Sequence, residues 1–199
     1  MKLGLITIDD FYDDPDSIRD LALSCEYSQE GFSEGYKHGN APWAGKMSTA
    51  SHSPNWVDAK ISKLLNRHYR QMPQWDSGKF RNSNKGNKST NVCHVNTIAK
   101  NHYAGVVYLN KNKNDVPGTT FYTHKETGSD FAINNQHILN LMKNGHNEDP
   151  TAWEVNMISY IKYNRLIIFP ANKFHSPGNG FGTGKNTRLI QVFAWEIIQ

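Results

Sequence analysis

The chain has 199 residues, a formal charge of +4, 37% hydrophobic residues and 12% aromatics. That length fits one domain, 1–199, able to bury about 70% of its unfolded surface without disulfides or a structural metal. The composition excludes a disordered chain, the absence of an apolar run of about 18 residues excludes a transmembrane helix, and two cysteines (Cys25 and Cys93) argue against a disulfide scaffold or a Cys-rich zinc site.

The opening Met1 to Asp10 turns acidic too early for a signal peptide, so a reducing cytoplasm is the expected compartment. Leu3 to Ile8 alternates as a strand. Asp14 then reads as an N-cap with Pro15 at the first helical position, and Ile18, Leu21 and Ala22 fall on one helix face. Residues 28–53 are rich in Gly, Ser, Asn and His and read as loop with short strands. Pro54 to Tyr69 reads as a second helix with Trp56, Ile61, Leu64 and Leu65 apolar. These elements make 1–77 an α/β support region.

From residue 78 the pattern becomes short β-type runs between turn clusters: Lys79–Arg81, Asn91–Thr97, Tyr103–Leu109 and Thr119–Thr123. A polar helix over Asn134–Lys143 follows, and two strong strands, Ile158–Phe169 and Thr187–Ile198, close the chain. Many short strands with Gly-rich turns predict a sandwich or barrel, with the N-terminal helices packed outside it. The charge balance is mild and holds no block of five like charges, so neither a nucleic-acid tail nor a membrane partner is signalled.

Of nine histidines, His38, His52, His68, His102, His137 and His146 lie in polar or helical surroundings and suit solvated roles. His94 differs, because in a strand it shares a face with Asn96. His175 follows the strongest apolar run, and Arg188 comes thirteen residues later on a face with Ile190, Val192 and Ala194. An arginine on an apolar face needs an anion, since an unpaired buried charge is costly; a carboxylate, either a ligand's or that of Glu196 or Glu154, fits it. Cys93 points away from His94, as a buried thiol.

The ordered set His94-Val95-Asn96, Val107-Tyr108-Leu109-Asn110, Pro117-Gly118-Thr119-Thr120 and Arg165 to Phe169 leading to His175 and Arg188 covers about residues 79–197. It resembles the iron(II)- and 2-oxoglutarate-dependent oxygenases of the prolyl-4-hydroxylase type, including small hydroxylase-like proteins of phages. The resemblance implies a double-stranded β-helix (a cupin-like jelly roll) over 78–199. It implies Fe(II) held by His94, Asn96 and His175. It also implies 2-oxoglutarate as cosubstrate, its far carboxylate on Arg188 with the Tyr108 hydroxyl as a second donor. The implied reaction consumes O2, converts 2-oxoglutarate to succinate and carbon dioxide, and hydroxylates a C–H bond of a peptidyl or small-molecule substrate. Trp43, Trp56 and Trp75 are candidates to line a substrate groove.

One position departs from the family. Its metal carboxylate is replaced by Asn96, whose amide oxygen is a neutral and poorer ligand. Three readings stay open: Asn96 ligates in an active enzyme; His124 or a water completes the metal sphere; or the metal site is lost and the jelly roll serves as a binding or structural, virion-associated protein.

Overall fold

A computed structural model describes residues 4–28, 45–87 and 93–198. Leu3, His38, Trp43 and the first two residues of the expected run at 91–97 lie outside them. Among the described residues, β1 (Ile6–Ile8), α1 (Pro15–Ser24), β2 (Tyr27–Ser28), β3 (Lys46–Ser51), α2 (Asn55–Leu65), β4 (His68–Gln71) and β5 (Lys79–Ser83) form the first part. β6 (His102–Tyr108), β7 (Pro117–His124), α3 (Asn135–Lys143), β8 (Trp153–Tyr160), β9 (Arg165–Pro170), β10 (His175–Pro177) and β11 (Arg188–Ile198) follow. The strands make two antiparallel sheets. The larger runs β1-β9-β6-β11-β5-β3-β2, with β4 continuing beside β11, and the smaller runs β10-β7-β8. This is the expected mainly β, jelly-roll architecture with helices outside.

Amphipathic alternation explains the layering. One face of the large sheet, with Phe80, Val107, Leu189, Phe193 and Trp195, packs on Ala22 of α1 and Val57 and Ile61 of α2. The other face turns toward the small sheet, where Tyr108, Phe121, Ile167, Phe169 and Ile190 form a second core. The Trp195 indole N–H donates to the Asp58 carboxylate at 3.0 Å and so ties β11 to α2. The α1 start is as expected: Asp14 caps, accepting from the Ser17 N–H at 3.1 Å.

Four expectations need correction. Leu21, Trp56 and Leu64 are exposed rather than core; Trp56 instead lies across the rings of Phe11 and Tyr12. The second helix stops at Leu65 because Asn66 turns left-handed (φ 49°), which frees His68–Gln71 to pair with β11. The run Ile158–Phe169 is two strands in different sheets. Asn164 breaks it at φ 62°, and its side chain bonds both the N–H and the C=O of Tyr12. Finally, the run at 91–97 is no strand where described, but a single antiparallel bridge between His94 and His175.

Candidate active site

The two sheets and the 93–97 segment enclose a cavity of about 100 Å³. Its lining includes His94, Asn96, His175 and Arg188, the residues that the sequence singles out, together with Arg81 and Asp76. Trp75 also lines it, whereas Trp56 does not.

The histidines are placed by backbone. His94 and His175 exchange both peptide hydrogen bonds, at 2.9 and 3.0 Å, so their side chains stand side by side with ring centroids 4.3 Å apart. The Asn96 N–H donates to the Ala171 carbonyl at 2.9 Å, which keeps residues 94 and 96 facing the same way despite the missing strand. His175 Nδ1 lies 2.8 Å from the Lys173 carbonyl and must donate to it. Its Nε2 therefore carries no proton and offers a lone pair.

The electrostatics keep both rings neutral. Burial pushes His175 down to about 4; the Lys173 carbonyl opposes this, and the nearby Arg81 charge adds to it. His94 is held well below the ordinary imidazole range by burial, then by His175 and Arg81. Neutral imidazoles are the form that binds metals.

Arg188 is 1% exposed. Its Nη2 donates to the Gly118 carbonyl at 2.7 Å, but its Nε finds no hydrogen-bond partner among the described residues. Burial pushes its pKa down to about 10. Glu196, weighed above as its partner, pairs instead with Arg70. Arg81 stands opposite Ile190 across the β5–β11 pair, so it faces the same way as Arg188. Burial and the Arg188 charge hold it well below its ordinary range. Asp76 is the only carboxylate lining the cavity among the described residues, and it pairs with Lys79 at 3.0 Å. Among the described residues the lining thus carries two guanidinium groups and one carboxylate, the latter paired with Lys79.

Tyr108 lies outside the lining. Its hydroxyl sits 2.9 Å from Thr119 Oγ1, and its ring packs under Gly118, where a Cβ would come within 2.6 Å of Cζ. Thr119 does line the cavity, so Tyr108 stands one residue behind it. His124 is elsewhere. It contacts Thr127 and His146, and so does not complete a sphere around His94 and His175. Among the described residues no Asp or Glu joins those two histidines at ligand spacing. The side chains brought together at this end of the cavity are the imidazoles of His94 and His175 and the Asn96 amide.

Sequence reasoning missed Arg81 and Asp76. Arg81 carried a usable signal, since its neighbours in Lys79-Phe80-Arg81 alternate and place it on the face opposite Phe80. Asp76 follows a tight turn at φ 62° and had none.

No curated protein matches the chain by sequence. Among solved structures, HygX from Streptomyces hygroscopicus, with nickel, 2-oxoglutarate and hygromycin B bound, aligns at a TM-score of 0.54 and 14% identity, covering 98% of this chain and 83% of that one. The non-heme alpha-ketoglutarate-dependent epimerase SnoN from nogalamycin biosynthesis aligns at 0.56 and 12%, covering 98% and 79%. A prolyl hydroxylase from Trichoplax adhaerens, in complex with a hypoxia-inducible-factor oxygen degradation domain peptide, aligns at 0.52 and 13%, covering 98% and 83%. At these identities the likeness shows the jelly-roll fold of iron- and 2-oxoglutarate-dependent oxygenases. The family model described as "Family of unknown function (DUF6445)" matches residues 2–178, and the chain belongs to that family.

Proposed function

We propose that this protein is an iron(II)- and 2-oxoglutarate-dependent oxygenase that uses O2 to hydroxylate a C–H bond of a peptidyl or small-molecule substrate. The observation that carries the proposal is Arg188: a buried guanidinium with an unpartnered Nε, in the cavity that holds His94, Asn96 and His175. Such a group answers a carboxylate ligand.

The donor set fits iron. His175 and His94 would hold the metal through ring nitrogens kept unprotonated by burial, and Asn96 through its amide oxygen. Bound iron with its keto-acid cosubstrate supplies the activation of oxygen. The chain's residues do the rest. Arg188 binds the far carboxylate of 2-oxoglutarate and so sets the direction in which the cosubstrate lies. Tyr108 acts through Thr119, holding its hydroxyl at the cavity wall. Ile190, Val192 and Phe169 make that wall apolar and exclude water. Arg81 supplies a second positive charge beside the histidines. It offsets the negative charge that enters with the cosubstrate, where the oxygenases that the sequence resembles have a metal carboxylate and this chain has a neutral amide.

A second reading rests on that last feature. A neutral donor set with Arg81 nearby disfavours a divalent cation, and the pocket then binds a small dicarboxylate without redox chemistry. Anaerobic titration of the metal-free protein with iron(II) and 2-oxoglutarate decides between them. A saturable visible charge-transfer band, lost in His175→Ala, supports the oxygenase. Binding of 2-oxoglutarate with no band at high iron supports the binding module and sinks the first proposal.

A further inference from the structure

Outside the cavity, at the far end of β7, two histidines meet that the jelly-roll chemistry does not use. His124 Nε2 and His146 Nδ1 are 3.0 Å apart. Glu126 Oε2 lies 3.9 Å from the same His146 nitrogen, and the three ligand atoms all fall within 4.8 Å of one another. We propose that His124, His146 and Glu126 form a second metal site, for a divalent cation of the zinc type, with water in the fourth position.

The spacing suits the ion. Zinc bonds to nitrogen and oxygen of about 2.0–2.2 Å in tetrahedral geometry set the ligand atoms roughly 3.3–3.6 Å apart. The histidine pair must open by a few tenths of an ångström. Glu126 must close by less than about 1.5 Å, which its exposed, rotatable side chain can do. Two imidazoles and a carboxylate are donors that zinc, cobalt and nickel accept and that calcium and magnesium do not favour.

The frame is built before the metal arrives. His124 is 1% exposed, its ring 5.0 Å from that of Trp153. The His146 backbone is held at both ends: its N–H donates to the Leu141 carbonyl at 2.9 Å, and its carbonyl accepts from the Trp153 indole at 2.6 Å. The turn carrying Glu126 is closed by the Gly128 N–H on the His124 carbonyl at 2.8 Å.

The tautomers also allow it. His124 Nδ1 lies 3.0 Å from the Thr127 hydroxyl, which can accept its proton and leave Nε2 bare. That is the outer-shell partner by which a metal-binding histidine is oriented. In the metal-free protein His146 Nδ1–H then donates to this nitrogen. Its proton can move to Nε2 of the partly exposed ring when a cation takes the place of the hydrogen bond. No charged partner is lost in the exchange. The metal would staple the turn after β7 to the segment after α3, closing a loop from residue 124 to 146, and would stabilise the fold by its binding free energy.

The site is independent of the oxygenase reading, and its test is run in a His175→Ala background so that the cavity cannot contribute. Tag-free protein stripped by chelator is titrated with cobalt(II), and its melting temperature is followed with zinc(II). One equivalent of cobalt should give an intense tetrahedral visible band, and zinc should raise the melting temperature. His146→Asn should abolish both. Glu126→Gln, an exposed turn substitution that leaves the fold intact by circular dichroism, should weaken cobalt binding at least about tenfold. No cobalt band in the parent, or a band unchanged in both variants, would overturn the proposal.

Discussion

Replacing Arg188 by Met should do two opposite things. A guanidinium whose pKa is pushed down to about 10 from the ordinary 12.5 costs the fold about 3 kcal/mol when charged at neutral pH. Met keeps much of the aliphatic stem and removes the charge. It also removes the charge-assisted bond to the Gly118 carbonyl, worth about 2 kcal/mol. The ligand-free variant should therefore be more stable by about 1 kcal/mol, a rise in melting temperature of about 2–4 °C for a chain of this size. The same substitution deletes a charge-assisted hydrogen bond to the cosubstrate, worth about 1.5–3 kcal/mol, so 2-oxoglutarate should bind about 10- to 150-fold more weakly. Differential scanning fluorimetry with and without 2-oxoglutarate reads both effects in one experiment. Wild type should start lower and gain from the ligand; the variant should start higher and gain little. A variant less stable than wild type, with an unchanged response to 2-oxoglutarate, would mean that Arg188 is structural and that the carboxylate does not sit there.

Asn96→Asp should raise iron(II) affinity by at least about tenfold, measured by anaerobic titration, because a charged ligand replaces a neutral one at a position fixed by its own backbone bond to Ala171. Gly105→Ala should destabilise by about 1–3 kcal/mol in urea: its Cβ would come within 2.8 Å of Cη2 of the fully buried Trp195 and 3.3 Å of Phe193 Cβ. Asp9 is pulled down to about 2, first by its hydrogen bond from Arg165 and further by Lys162. Its folded pKa lies below the unfolded value, so its contribution is present above about pH 4 and fades as pH falls toward 2. Urea unfolding of wild type and Asp9→Asn should therefore differ at pH 5 and converge by pH 2; a constant gap would contradict the ion-pair account.

The mainly β, jelly-roll class was legible in the sequence from its many short strands and Gly-rich turns. His94, Asn96, His175 and Arg188 were singled out by their order along the chain and by the resemblance it carries, and the fold gathers all four around one cavity, although the strand expected to hold His94 and Asn96 is only a bridge. Where the reading failed, a tertiary partner decided. Ile158 to Phe169 is apolar enough for one strand, yet Asn164 breaks it because its amide finds the Tyr12 backbone 152 residues away. Trp56 has the spacing of a core residue in α2, but the rings of Phe11 and Tyr12 meet it at the surface. His124 was singled out for the wrong site and His146 looked ordinary, because 22 residues separate them in sequence and nothing local tells that α3 turns one back onto the other. Arg81 and Arg188 stand close only through strand register, which no single-strand pattern contains.

The reciprocal backbone bonds between His94 and His175 give the cavity a built-in reporter. Both amide hydrogens are spent on the partner's carbonyl, so neither can exchange with solvent unless the clasp opens and the two rings part. Any ligand that bridges the rings must hold the clasp shut. Its binding free energy then appears directly as slower exchange at residues 94 and 175, while the amides of α1 and α2, outside the clasp, keep their own rates. Two peptide groups thus translate occupancy of the site into an isotope label that needs no turnover and no knowledge of the substrate.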